Sequence, residues 1–252
     1  MTYSEFKSKC YAEIIAQSSD PSLRDLSKEW FGKANSHGYS YHFEWLGRPL
    51  IQYPQDIVQF QETVFQTCPD LIIETGIAHG GSLVLSASLL CMLDVMNGID
   101  PRKSNRKVLG IDIDIRPHNL IALEQHPLRF KIELIEGSSI DPAVIKKVKR
   151  FTIGKEKVFV SLDSNHTHEH VLAELNAYAG LTSPGSYCIV FDTCIEDLPP
   201  GSFPDRPWDI GNNPKTAVHE WLKSHPEFEI DKEINKKLLI SVAPDGYLKR
   251  VK

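Results

Sequence analysis

Leu71-Ile72-Ile73-Glu74-Thr75-Gly76-Ile77-Ala78-His79-Gly80-Gly81-Ser82 is the stretch that decides the fold. An apolar run ends in an acid, three glycines follow, and a hydroxyl residue precedes the apolar span Leu83–Met96. That order reads as a buried strand, a tight turn and a helix. The glycines let the backbone turn sharply and approach a ligand, and Ser82 stands where it could cap the helix. Working outward, further strand-type runs occur at Val108–Asp112, Ile132–Glu136, Val158–Leu162 and Tyr187–Phe191. Helical patterns separate them near Gly81–Met96, Pro117–Glu124, Pro142–Arg150 and His166–Tyr178. Strands that are apolar on both faces and alternate with helices predict a parallel sheet covered on both sides. After a Pro/Gly/Asp segment, Glu196–Pro214, come a helix near Lys215–Ser224 and strand candidates at Phe228–Ile230, Leu238–Val242 and Tyr247–Val251. The pattern predicts a doubly wound α/β domain with an antiparallel edge.

The chain has 252 residues, of which 41% are hydrophobic and 24% charged, enough for one large domain with decoration or two small ones. A net charge of −5 gives no basic surplus, which argues against a general nucleic-acid binder. The first residues lack the basic-then-apolar order of a secretory signal. Leu83–Met96 falls short of the roughly 20 residues that span a bilayer, so no membrane span is expected. Cys10, Cys68, Cys91, Cys188 and Cys194 show no metal-finger spacing, and a reducing cytoplasm fits them. Two N-terminal helices are expected around Tyr3–Ala16 and Leu23–Phe31, with Ser19 or Asp20 as cap and Pro21 at a first helical position. Tyr39–Tyr53, rich in aromatics, has no sustained helical period. It reads as an ordered lid or bridge, or equally as a loop whose aromatics cover the core.

Ligands of open α/β sheets bind beyond the carboxyl ends of the strands. At the first such end, Glu74, Gly76, Gly80 and Ser82 are the candidate binding loop, with a plain strand–helix turn as the alternative. At the second, Asp112 or Asp114 could accept both hydroxyls of a ribose, the other serving as a helix cap. Ser138 and Ser139 could sit at an adenine edge, although Ser139 and Asp141 are also good caps. The fourth strand runs into Asp163-Ser164-Asn165-His166-Thr167-His168-Glu169-His170. Asp163 is a hard oxygen ligand, and His166 is a candidate general base because imidazole titrates near neutral pH. His166 and His170 at i, i+4 would share a helix face, yet the zinc-protease pattern and a third ligand are missing. His168 is assigned to solvent, and His170 to support or packing. At the fifth strand end, Asp192 could converge with Asp163 on a divalent cation such as Mg²⁺, which would lower the pKa of a substrate hydroxyl. Glu196 and Asp197 could add ligands or be solvated; Asn212 or Asn213 could cap the next helix, and Asn213 could instead reach the site.

Six segments, EWLGRPLIQYPQD, LIIETGIAHGGS, GIDIDIRPHN, LDSNHTHEHV, VFDTCIEDLP and NNPKTAVHEWL, together carry a family resemblance. In order, they resemble the cephalosporin hydroxylase family, also met as rhamnosyl O-methyltransferases, from about Tyr41 to the C-terminus. The strand-end acid followed by Gly-Gly-Ser is also similar to class I S-adenosylmethionine (SAM) methyltransferases. The resemblance implies a Rossmann-like, mostly parallel seven-stranded sheet, with residues 1–53 as a helical region and lid and 54–252 as the SAM-binding catalytic domain. By position it implies that Glu74, Gly76, Gly80 and Ser82 hold SAM, with Asp112 or Asp114 on the ribose and Ser138 and Ser139 near the adenine. It makes Asp163 a metal ligand beside the methyl donor and His166 the base. Related metal-dependent enzymes end strand five with an acidic pair, whereas here the pair is Phe191-Asp192, so one ligand is missing. The expected activity is O-methylation of a sugar or other polyhydroxylated small molecule, with SAM as cofactor and either Mg²⁺, held with Glu196 or Asp197 in place of the missing ligand, or a metal-free site. Trp45, Tyr53 and Trp208 are candidates to stack on a sugar, and a homo-oligomer is expected. The competing readings are an iron-dependent hydroxylase built on His166, His170 and Asp163, and a SAM-binding protein without catalysis.

Overall fold

The computed structural model describes all 252 residues. Helices α1 (Tyr3–Ser18) and α2 (Pro21–Asn35) come first. Thr2 and Glu5 close a capping box on α1, and Asp20, with Pro21 behind it, caps α2 by accepting from the Ser22 and Leu23 N–H groups. The aromatic stretch then folds as a hairpin, β1 (Phe43–Trp45) and β2 (Arg48–Leu50), turned at Leu46 and Gly47, both at positive φ. Leu50 is buried in the main core.

The remaining elements are α3 (Pro54–Thr67), β3 (Leu71–Thr75), α4 (Gly81–Met96), β4 (Lys107–Asp112), α5 (Pro117–Glu124), β5 (Ile132–Glu136), α6 (Pro142–Phe151), β6 (Val158–Leu162), α7 (His168–Tyr178), β7 (Tyr187–Val190), α8 (Pro214–Trp221), β8 (Phe228–Ile230), α9 (Lys232–Lys237) and β9 (Tyr247–Arg250). The seven-stranded sheet has the order β5-β4-β3-β6-β7-β9-β8 and is parallel through β7, with β9 antiparallel to both its neighbours. Side chains alternate across a strand, so each strand feeds both cores. Ile72, Val108 and Phe159 join one core of 26 buried residues; Ile73, Leu109 and Val160 join the other, of 21. Each fully buried aliphatic contributes roughly 1.5–3 kcal/mol, which explains why the strands read as unbroken apolar runs.

Three details depart from the sequence-based expectation. Leu238–Val242 is not a strand. The Asp56 carboxylate on α3 accepts from Ser241 Oγ at 2.6 Å and from the Val242 N–H at 2.9 Å, so this segment is pinned to a helix instead of a ladder. The helix expected from His166 begins at His168, leaving His166 in the preceding loop and ending any shared helix face with His170. Ser82 does not cap α4: the cap position is Gly80 at φ +84°, and the Ser82 hydroxyl is turned toward Glu74.

Candidate functional site

The site lies where the carboxyl ends of β3, β4, β6 and β7 meet. Gly76, at φ +86°, makes the floor: a Cβ there would lie 2.0 Å from the Asp163 carbonyl oxygen, so only glycine lets β3 turn against the end of β6. Gly81 is needed for a different reason, since a Cβ would come within 2.2 Å of the Pro49 carbonyl oxygen at the end of the hairpin. Beneath the loop, Glu74 is 2% exposed and accepts from the Ser82 hydroxyl. Burial pushes its carboxyl up to about 7, against the pull of that hydrogen bond.

Of the two acids at the end of β4, Asp112 within it and Asp114 beyond it, only Asp112 faces the site. Its Oδ2 accepts from the Ile77 N–H at 2.7 Å and the Ala78 N–H at 3.3 Å, tying down the glycine loop, while Asp114 is exposed. A cleft of about 160 Å³ runs on from there, lined by Gly76, Asp112, Ser138, Ser139, Ser164 and His170. The cap of α6 is Asp141, which accepts from the Ala143 N–H, leaving Ser139 Oγ free to meet His170 Nε2 at 3.1 Å.

On the other side of Gly76 is a cavity of about 260 Å³ that reaches Asp163, His166 and Asp192. These three place ligand atoms within 4.8 Å of one another. His166 Nε2 is 3.1 Å from Asp192 Oδ2. Asp192 holds a left-handed backbone, φ +55°, the kind of local strain that proteins keep where a side chain must be aimed. The Asp163 carboxyl is pushed well up, by burial first and then by the neighbouring Asp192, Glu74 and Glu174 carboxylates. Phe191 is buried in the core, so β7 supplies one acid to the cluster, Asp192, and His166 lies beside it.

Several expected participants are engaged elsewhere. Glu196 accepts from the Gly211 N–H and the Asn213 side chain, and Asp197 pairs with Lys215 at 2.7 Å, so neither joins the cluster. Asn213 caps α8 and is fully buried. His168 is not given over to solvent: it joins Thr216 at 2.8 Å and Glu220 at 3.2 Å, clamping α7 to α8. His170 turns to Ser139, Ser164 and Glu174, so the facial set of an iron hydroxylase with His166 and Asp163 does not form. Trp45 donates to Ser88 at 3.1 Å, on the α4 side of the hairpin. Tyr53 lines the cavity from a fully buried position, and Trp208 meets the His166 ring edge-on at 4.7 Å. Gln52 and Phe203 also line the cavity. Nothing in the spacing marks Gln52, which reaches Asp163 across 111 residues of chain. A larger cavity, about 740 Å³, lies between α2, the turn after β7 and the Leu238–Pro244 segment. It touches the site only through Phe31 and Cys194 and lacks a cluster of this kind.

The family model described as rhamnosyl O-methyltransferase/CmcI matches residues 37–251. The chain belongs to that family. Among its relatives, the rhamnosyl O-methyltransferase of Mycobacterium tuberculosis (H37Rv) is 27% identical over 243 residues, 95% of this chain and 89% of the relative. The Mycobacterium leprae enzyme of the same name is 26% identical, with 96% of each chain covered. Among solved structures, CmcI in its apo form matches with a TM-score of 0.54 at 19% identity, covering 84% of this chain and 77% of that one. CmcI with Mg and SAM matches with a TM-score of 0.53 at 18% identity, covering 84% and 78%. At such identity these structures speak to the fold, which is the Rossmann-like fold of SAM methyltransferases. Family residues therefore include the hairpin and every strand of the sheet, while α1 and α2 lie ahead of the matched region.

Proposed function

We propose that this member of the rhamnosyl O-methyltransferase/CmcI family methylates a sugar hydroxyl, with His166 as general base and Asp163 and Asp192 holding a magnesium ion. Membership of the family makes the chain a SAM-dependent O-methyltransferase; the sugar and the residue roles are our reading. The observation that carries it is the meeting of Asp163, His166 and Asp192 at two strand ends beside the Gly76 floor.

The residues fit both cofactors. Two clefts share Gly76, Asp112 and Ser164 and so make one continuous cradle. Two clustered carboxylates, with positions left for water, suit a hard cation such as Mg²⁺. When bound, SAM supplies an electrophilic methyl group and the cation supplies Lewis acidity. Asp192 orients the His166 ring through Nε2, so the other ring nitrogen is available for the proton of the acceptor hydroxyl. Trp208 packs on the same ring and limits its rotation. Phe31, Leu50, Tyr53 and Phe203 wall the cavity and keep water from competing with the acceptor.

The names of the mycobacterial relatives support a sugar acceptor. Residues 1–53 serve in this reading as the cover of a catalytic domain spanning 54–252. Five free thiols support a reducing, cytoplasmic setting, and no helix is long and apolar enough to cross a membrane. The exposed Tyr3, Phe6 and Tyr11 of α1 support self-association. The decisive test is His166→Ala: turnover should fall about 10²–10⁴-fold while SAM affinity stays within about twofold by calorimetry. Turnover at the wild-type rate would remove His166 from the chemistry.

A further inference from the structure

Gln52 is 7% exposed, yet its Oε1 is buried without any hydrogen-bond partner. A buried amide oxygen left unmatched is unfavourable, and where one faces a cavity it points to a donor that arrives with a ligand. The other end of the amide is accounted for: Nε2 lies 3.5 Å from Asp163 Oδ2, on the donor side of a long hydrogen bond. That contact sets the orientation of the amide and leaves Oε1 as a buried acceptor without a partner. Gln52 borders the main cavity along with Gly76, Ser82 and Asp163. It also borders a smaller recess with Glu74, Ser82 and Asp163. The neighbourhood is therefore built of acceptors and acids, and no Lys or Arg lines either space.

We propose that the Gln52 carboxamide oxygen receives a hydrogen bond from the α-ammonium group of the methionine end of SAM. This rests on the SAM-dependent reading above and assigns one of its contacts to the bridging segment between β2 and α3. Within the methionine end of SAM the chemistry selects one group; the nucleoside's own donors, the ribose hydroxyls and the adenine amine, fall in this reading beside Asp112, Ser138 and Ser139. The sulfonium carries no donor, and the carboxylate brings only acceptors to a place already lined by acceptors. The ammonium brings three N–H donors and a positive charge to a place that offers acceptors and negative charge. An acceptor hydroxyl would bring a single donor, and its proton must go to His166.

The consequence is a division of labour within one cavity. Residues after β3 and β4 surround the nucleoside, while a segment that precedes the sheet in sequence closes over the amino-acid end.

The test is calorimetric binding of two probes, S-adenosylhomocysteine and 5′-methylthioadenosine, which lacks the amino-acid end. Each is titrated into wild type and Gln52→Leu, with Mg²⁺ and after chelation. Gln52→Leu should weaken S-adenosylhomocysteine about 10- to 100-fold, the usual effect of losing a hydrogen bond to a charged group, and leave 5′-methylthioadenosine unchanged. The loss should be the same with and without metal. Equal weakening of both probes, no weakening of either, or a loss seen only with Mg²⁺ would overturn the proposal. Should Gln52→Leu lack a cooperative melting transition, Gln52→Asn, which withdraws the oxygen by one methylene, should show the same selectivity to a smaller degree; no selectivity there would also overturn it. If wild type binds neither probe, the SAM-dependent reading itself fails, which is a separate result.

Discussion

Asp192 is the residue in which backbone, charge and chemistry meet. Its left-handed conformation aims a carboxylate back over the end of β7, 3.1 Å from the His166 ring. Asp192→Ala should therefore abolish stimulation by Mg²⁺ and lower kcat at least tenfold, while calorimetry finds SAM affinity nearly unchanged. Gly76 has the opposite profile. Gly76→Ala adds a Cβ that would collide with the Asp163 carbonyl in a conformation costly for any L side chain. It should cost more than about 2 kcal/mol of stability in urea denaturation and remove SAM binding with it.

Among the elements, α3 and α4 do more than cover the sheet. Asp94, near the end of α4, is fully buried with the Lys131 ammonium, and Arg106 reaches the same carboxylate. Burial alone would raise the Asp94 carboxyl; its two cationic partners outweigh that and hold it below the usual range. The triad ties α4 to the entries of β4 and β5, at the sheet end opposite the site. Lys131→Met would leave the buried carboxylate with Arg106 as its one cationic partner and should cost about 1.5–3 kcal/mol, read from the denaturation midpoint. Asp56 on α3 shows the reverse electrostatics. Burial pushes its carboxyl up to about 7 although Ser241 and Val242 both donate to it. It binds its proton more tightly folded than unfolded, so its contribution is full below the unfolded value near 3.8 and is lost as pH rises through about 7. Asp56→Asn, neutral throughout, should stabilise the protein by on the order of 1–3 kcal/mol at pH 8 and give little gain at pH 4.

For the whole molecule, Glu74 and Asp56 act in the same direction, each shifted up to about 7 by burial. The ligand-free protein should accordingly melt at a lower temperature at pH 8 than at pH 6. A ligand bound only by the folded state adds stability by mass action, about 2.7 kcal/mol at 100 times its Kd. For a chain of this size that is roughly 5–10 °C, so SAM should raise the melting temperature visibly at pH 8. An unchanged melting curve at saturating SAM would contradict the cradle built around Gly76.

The alternation of apolar strands and helices was legible in the residues because burial on both faces of a parallel strand leaves no choice but an apolar run, as in β3 and β6. The glycine loop was legible too, since Gly76 and Gly80 take positive φ there, and so were Asp163 and Asp192 as strand-end acids. Local pattern could not show which of Asp112 and Asp114 faces inward, because both have the same parity and only the Ile77 and Ala78 amides select one. Nor could it show that Leu238–Val242 would abandon a ladder for the Asp56 carboxylate, a partner on another helix. Gln52 lies in one of the segments that carry the family resemblance, but no local pattern singles it out, since its meaning comes from a contact made 111 residues away. Sequence by itself determined where the chain is apolar and where it can turn, which are local properties. The tertiary structure alone decided which polar groups find partners and which are left open for a ligand, because a hydrogen bond needs two groups brought within about 3 Å, and folding brings together residues that the sequence keeps apart.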